Sequence, residues 1–179
     1  GIYNESGGGP TLRAVNSTVS GNTAINGGIC NRSFSANVSL EVVNSTITNN
    51  SNGGIITFAT SAGSTSTTIL RNTIIANNTA INLGAGNAAT MITNGFNLSD
   101  NFNNVFTPLA TDITNQPLLG PLADNGGPTQ THALLSGSPA IDAGNSAGTG
   151  QTTDQRGAGF NRVVDLPITN ANGSDGADI

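Results

Sequence analysis

The only histidine of the chain, His132, is the residue with the most obvious catalytic potential. Ser136, Ser138 and Asp142 follow it, and these are the residue types of a triad in which histidine takes the proton of a serine. Neither serine lies in the G-x-S-x-G turn that exposes a hydrolase nucleophile. His132 also lies beside apolar residues in "TQTHALL". We therefore expect a structural histidine.

Two pairs of oppositely charged residues are candidates for ligand binding instead. Asp154 and Arg156 lie in "TDQRG", where an arginine fork either binds a sugar acid or pairs with the aspartate at a turn. Arg13 and Glu41 are 28 positions apart, and they either begin a polar groove on an outer face or form an exposed ion pair. Such a pair is worth about 0–1 kcal/mol. In both cases we expect the simple pairing.

A calcium site and an active site that cleaves polysaccharides both require clustered carboxylates. The segment "NANGSDGAD" (170–178) has oxygen ligands at alternate positions, but it lacks the D-x-D-x-D-G spacing of a calcium loop. We expect a surface turn there and no cofactor, with Ca²⁺ as the metal that its residue types would suit. Lyases and glycoside hydrolases need several acids on one face, and residues 1–105 contain only Glu5, Glu41 and Asp100. We expect no enzyme.

The first half of the chain contains a sequence repeat. "GIYNES" begins at Gly1, "GICNRS" at Gly28 and "GIITFA" at Gly54, at spacings of 27 and 26. The segments that follow also align, at spacings of 28 and 27. A regular period of this size indicates a solenoid.

The pattern within each repeat decides which solenoid to expect. Short alternating strands rich in β-branched residues are separated by Gly and Asn, and helical or leucine-rich patterns are missing. Asn-Gly at 26–27 and 52–53 would also suit antiparallel hairpins. Hairpins, however, do not require side chains to recur in register along the chain. We predict an all-β fold, a right-handed parallel β-helix of about four coils of 26–28 residues.

The alignment also predicts which side chains stack inside the coil. Such stacking gives apolar columns and an internal ladder of asparagine amides, as in cross-β structures. The predicted core columns are Leu12/Leu40, Ala14/Val42/Ile69 and Val19/Ile47/Ile74, and the predicted ladder is Asn22/Asn50/Asn77.

The second half of the chain contains a run of motifs. These are "DNGGPTQTHALLSGSPAIDAGN" (124–145), "TDQRG" (153–157) and a terminal "DGADI". With the preceding "NSTVSGN" repeats, they resemble a bacterial family of secreted β-helix proteins of the choice-of-anchor type. Ser136 departs from the family's usual proline, and the GAFE-like ending is missing. The resemblance implies a right-handed parallel β-helix at the cell surface or outside the cell, with no generally established enzymatic activity.

Composition narrows the possible partners. Charged residues make up 8% of the chain, and the formal net charge is −5, with five arginines and no lysine. The chain has no basic stripe for phosphates, so we expect no nucleic acid. The single cysteine, Cys30, excludes an internal disulfide and a cysteine-based zinc site. No apolar run approaches the roughly 20 residues of a membrane span, so we expect no membrane insertion.

These observations lead to one functional expectation. We expect coils over residues 1–105 and a C-terminal extension over 106–179 that packs on or caps them, as one unit of a longer chain. The expected function is a structural or adhesive module of a bacterial extracellular or cell-surface protein. Its expected partners are copies of itself or neighbouring coils joined end to end in a fibre, and surface glycans. The alternative is a polysaccharide lyase or glycoside hydrolase on the same scaffold.

Overall fold

The computed structural model describes residues 1–6, 9 and 11–179, and every regular element among them is a β-strand. The expected all-β class is therefore confirmed. The strands are β1 (Ile2–Ser6), β2 (Thr11–Val15), β3 (Thr18–Ser20), β4 (Ile29–Ser33), β5 (Val38–Thr48), β6 (Ile55–Ala59), β7 (Ser66–Ala76), β8 (Leu83–Ala85), β9 (Ala89–Thr93), β10 (Leu98–Ser99), β11 (Ile113–Thr114), β12 (Leu119–Ala123) and β13 (Thr131–Leu134).

The first eleven strands form two parallel sheets that wind around one core. Sheet A has the order β1-β4-β6-β8, and sheet B has the order β11-β10-β7-β5-β2, with β3 beside β5 and β9 beside β7. Each strand pairs with the strand one winding further along the chain. The chain therefore forms a parallel β-helix of about three turns.

The prediction of about four coils is too high because the last winding is cut short. In the first coils the strands of sheet B pair at a spacing of 28 residues. Ile74, however, pairs with Leu98 only 24 positions later, and Leu98 pairs with Ile113 only 15 positions later. A segment of that length cannot cross both sheets, so the fourth coil is not completed.

The core lies between the two sheets and consists of inward-facing aliphatic side chains. In sheet A the column Ile2, Ile29, Ile55 and Leu83 runs through the four strands. Ile29, Ile55 and Leu83 are fully buried. In the first two coils of sheet B the predicted columns are confirmed. There the register pairs are Leu12 with Leu40, Ala14 with Val42, and Val19 with Ile47.

The predicted third members of these columns are wrong by one residue. The prediction placed Ile69, Ile74 and Asn77 there, whereas the structure places Leu70, Ile75 and Asn78 in line with Val42, Ile47 and Asn50. The alignment assumed a spacing of 27, but the spacing in sheet B is 28 in both steps. Because strand side chains alternate between faces, a slip of one residue turns each side chain outward. Ile69 accordingly pairs with Glu41, and Ile74 with Thr46.

The asparagine ladder exists, with Asn78 as its third member. Asn22 Nδ2 donates to Asn50 Oδ1 over 2.8 Å, and Asn50 Nδ2 donates to Asn78 Oδ1 over 2.9 Å. Asn78 Nδ2 donates in turn to Asn82 Oδ1 over 3.1 Å. Asn50 is fully buried, so the ladder satisfies side-chain amides that water does not reach.

The ladder explains the glycine of the Gly-Ile repeat. A Cβ atom on Gly28 would lie 2.7 Å from Asn50 Cγ, and one on Gly54 would lie 2.7 Å from Asn78 Nδ2. Both distances are far below van der Waals contact. Glycine is therefore required at these positions because the ladder packs directly against the backbone at the start of sheet A.

A second asparagine column forms the bend within sheet B. Asn16, Asn44 and Asn72 have φ values of 47°, 51° and 47°, the left-handed conformation that asparagine adopts more readily than other side chains. Asn72 Nδ2 donates to Asn44 Oδ1 over 3.0 Å. The long strands β5 and β7 therefore bend at the same level, and the residues after the bend form a separate face of the coil.

The C-terminal region packs along the outer side of this face. Asn72 Nδ2 donates to the Asn145 carbonyl over 2.6 Å, and Asn145 N donates back to Asn72 Oδ1 over 3.0 Å. A second apolar cluster joins the outward Ile74 and Leu98 to Ala140, Ala143 and Ile179. These contacts explain why Ile74 is buried although it points away from the coil interior. The division of the chain at residues 105 and 106 stays a prediction.

Nothing in the described part of the chain is a helix long and apolar enough to cross a membrane.

Candidate functional site

The triad residues are not brought together. His132 Nδ1 lies 2.7 Å from the Gly120 carbonyl oxygen, so this nitrogen is the donor, and Nε2 lies 2.9 Å from Ser20 Oγ. Ser138 Oγ donates to the Pro117 carbonyl, and the Asp142 carboxylate accepts from the amide of Leu166. His132 therefore joins β13 to Ser20 of β3 and acts as a structural bridge.

Both charge pairs found in the sequence are formed. Arg156 Nη2 lies 2.6 Å from Asp154 Oδ2, and its Nε lies within 3.2 Å of both carboxylate oxygens. Arg13 Nε lies 2.6 Å from Glu41 Oε2, and both side chains are more than a third exposed. The second pair is a surface ion pair of small energetic value.

The carboxylates of the 170–178 segment bind backbone amides of the protein. Asp175 accepts from the amides of Ser146 and Ala177, and Asp178 Oδ1 accepts from the amide of Asp142 over 2.9 Å. Within the described residues, no group of three or more His, Cys, Asp or Glu side chains is arranged to hold a metal ion. The segment thus closes turns and fastens the chain end.

The most distinctive exposed surface lies on the outer face of sheet A. Successive side chains of β1, β4 and β6 point to opposite faces of sheet A, so the residues next to the inward column face outward. One outward column runs in register across the three strands and consists of Glu5, Arg32 and Phe58. We define the aromatic–arginine surface as Tyr3, Glu5, Arg32, Phe34 and Phe58.

Arg32 is the centre of this surface. Its guanidinium carbon lies 3.7 Å from the ring centroid of Phe34 and 5.4 Å from that of Phe58. Its Nη1 donates to the Tyr3 hydroxyl over 3.3 Å, and that hydroxyl also accepts from Asn26 Nδ2. Stacking holds the guanidinium plane in place, with a contribution of about 0.5–2 kcal/mol per ring. Arg32 Nε has no hydrogen-bond partner among the described residues.

A groove continues this surface toward the last coil. It has a volume of about 530 Å³, and its lining includes Ile56, Phe58, Thr60 and Asn87. Gly84 lines the groove and continues the outward column of Tyr3, Cys30 and Ile56. A Cβ atom on Gly84 would lie 2.6 Å from Ile81 Cδ1 and 3.0 Å from Ile56 Cδ1, so a larger residue there would displace these side chains.

Cys30 lies under this surface and gives a way to probe it. It pairs with Tyr3 and Ile56 in the outward column and is only 1% exposed. Burial raises the pKa of the thiol, and a hydrogen bond with Tyr3 lowers it in part. We expect alkylation by iodoacetamide at pH 8 to be at least about tenfold slower than for free cysteine. Mass spectrometry measures this rate, and Tyr3→Ala should raise it. Rapid alkylation of the unaltered chain would contradict this packing.

The arrangement suits a ligand with alternating apolar and polar faces. Phe34, Phe58 and the stacked guanidinium offer flat apolar area, while the Tyr3 hydroxyl and the Asn87 side chain in the adjoining groove offer hydrogen-bonding groups. Sugar rings present this combination, with C–H faces and hydroxyl edges. Glu5 is the one acid among the five residues of the surface.

The sequence contains a signal for this surface, although neither the motifs nor the charge pairs pointed to it. Glu5, Arg32 and Phe58 each lie four residues after a Gly-Ile glycine, and that parity places them outside. Three of the seven aromatic residues, Tyr3, Phe34 and Phe58, belong to this single surface. The predicted surface residues Arg13 and Glu41 lie on sheet B instead.

No known relative bears on the role of this surface. Comparisons with protein families, with curated proteins and with solved structures gave no match for this chain.

Proposed function

We propose that this chain is an adhesive module of a bacterial extracellular or cell-surface protein and that it binds glycan chains on the aromatic–arginine surface. The observation that supports this most strongly is the guanidinium of Arg32, which lies 3.7 Å from the ring centroid of Phe34 and 5.4 Å from that of Phe58, beside an open groove. Aromatic and arginine side chains with fixed geometry lose little conformational freedom on binding and are enriched at recognition sites.

The scaffold supports this proposal because it fixes the spacing of the surface. Neighbouring strands of a parallel sheet lie about 4.8 Å apart, so side chains in successive coils form a straight row along the coil axis. Sheet A holds that row, whereas the hydrogen bonds described between the C-terminal region and the coils involve sheet B, for example at Thr18 and Asn72. A linear glycan would lie along this row.

The test is binding of the labelled chain to an array of bacterial and host glycans, followed by calorimetry with the best ligand. We expect Arg32→Gln and Phe58→Ala each to weaken binding about tenfold, since each removes a stacked contact. Arg71→Gln is the matched control, because Arg71 also lies over a ring, Phe96 at 5.8 Å, but on sheet B. Absence of any binding, or equal binding by all variants, would refute the proposal.

A further inference from the structure

A cavity lies on the other side of the molecule, between the coil and the C-terminal region. It has a volume of about 380 Å³, and one wall consists of Ser17, Thr18, Ser45 and Thr46 after the bend in sheet B. The opposite wall is formed by residues 125–179. All three C-terminal motifs of the sequence contribute, through His132, Asp154, Arg156 and Asp178.

The two arginines of this cavity differ in their partners. Arg156 is held by both oxygens of Asp154 and stacks on Phe160 at 4.1 Å, so its charge is compensated. Arg162 Nη2 donates only to the main-chain carbonyl of Asp178, over 2.5 Å, and its Nε is buried with no protein acceptor. Among the described residues, Arg162 has no carboxylate within salt-bridge distance.

A guanidinium with no carboxylate within salt-bridge distance is less favourable here than a directly paired one. Burial lowers the pKa of Arg162, which reflects the loss of solvation of its charge, while Asp178, Asp154 and Asp175 act in the opposite direction from beyond salt-bridge distance. A buried charge without a partner is destabilising, and an anion placed against it restores the lost interaction. Planar guanidinium groups bind carboxylates with particular geometric specificity.

The other side chains that line the cavity indicate which further chemical groups a ligand would have. They are hydroxyl and amide side chains, together with the Asp178 carboxylate, and they have little aromatic surface. The polar lining residues are Ser17, Thr18, Asn44, Ser45, Thr46, Asn125, Thr131 and Gln155. Such groups exchange hydrogen bonds with hydroxyls, and the volume lies in the lower part of the range for small-ligand pockets, about 300–1,000 Å³. The shape and chemistry suit one sugar ring.

We infer that this cavity binds an acidic monosaccharide, with its carboxylate against Arg162 and its hydroxyls against the Ser and Thr side chains of the coil. The site is separate from the aromatic–arginine surface and does not depend on the function proposed for that surface. It joins the coil to the C-terminal region through the ligand. Arg156 pairs with Asp154, as the sequence predicts, and Arg162 is the arginine of the cavity without a carboxylate partner.

Calorimetric titration of the full chain with galacturonate, galactose and acetate tests this inference. We expect galacturonate to bind at least about tenfold more tightly than galactose, which lacks the carboxylate, and than acetate, which lacks the hydroxyls. Arg162→Gln should weaken galacturonate binding about tenfold or more, and the affinity of Arg162→Lys should lie between those of Arg162→Gln and the unaltered chain. Arg13→Gln removes the same charge at a residue that does not line the cavity and should leave galacturonate binding unchanged.

Each other outcome would overturn the inference. Equal binding of galactose would show that the carboxylate is not recognised, and equal binding of acetate would show that the hydroxyls are not. Loss of binding in Arg32→Gln but not in Arg162→Gln would move the site to sheet A. No binding of galacturonate by the unaltered chain would also refute it. Circular dichroism of both Arg162 variants establishes that the fold is retained.

Discussion

Replacing Leu70 with alanine is expected to lower the free energy of unfolding by about 2–5 kcal/mol, because it opens a cavity in a packed interior. Leu70 is fully buried and lies in register with Val42 in the central column of sheet B. Replacing the adjacent Ile69 is expected to cost about 1 kcal/mol or less. Ile69 faces outward beside Glu41 and is only half-buried.

Urea unfolding followed by circular dichroism measures both values. The pair is internally controlled, since the two residues are chemically similar and adjacent in the chain. A larger loss for Ile69→Ala than for Leu70→Ala would mean that the third coil has the register expected from the sequence alignment. Equal losses would mean that neither side of β7 is specifically the interior.

The same pair shows why the first two coils were predictable and the third was not. Wherever the third column had to be chosen, the sequence offers two adjacent residues of one kind: Ile69-Leu70, Ile74-Ile75 and Asn77-Asn78. Local pattern cannot distinguish them, so the choice depended on the assumed length of the corner after β6. That corner is longer than its counterpart after β4. From Ile29 to Val42 the chain advances 13 positions, whereas from Ile55, the partner of Ile29, to Leu70, the partner of Val42, it advances 15.

One column did carry the correct register. Asn16, Asn44 and Asn72 are spaced by 28 in both steps, and each precedes Ser or Thr. They had to align because the left-handed bend of sheet B requires a residue that tolerates positive φ at one level. A backbone constraint of this kind locates the register better than an apolar residue, which either face accepts.

The cavity could not be predicted from the sequence, for a different reason. Its walls join residues more than a hundred positions apart, as in the contacts of Thr18 with Gln155 and Ser20 with His132. The C-terminal region has no period, so no alignment positions it on a particular face of the coil. The motifs are specific as sequence, but nothing in them indicates that they meet at one place. Arg162 lies outside all of them.

Replacing Asn50 with alanine is the second change for which we expect a large effect, about 3–5 kcal/mol of unfolding free energy. Asn50 Nδ2 donates to the carbonyls of Val19 and Thr48 and to Asn78 Oδ1, and its Oδ1 accepts from Asn22. Alanine would leave several of these buried groups without partners. Each orphaned group costs about 1–3 kcal/mol.

Asn161→Ala provides the matched control, because Asn161 is an exposed asparagine and should change stability by no more than about 0.5 kcal/mol. The two variants remove the same side chain. The difference between their urea midpoints therefore measures the contribution of the ladder to stability, separately from the general effect of replacing an asparagine. If Asn50→Ala matched Asn161→Ala, the stacked amides would contribute nothing beyond what water supplies. The stability of the coil would then come from its apolar columns and from the backbone hydrogen bonds of its two sheets.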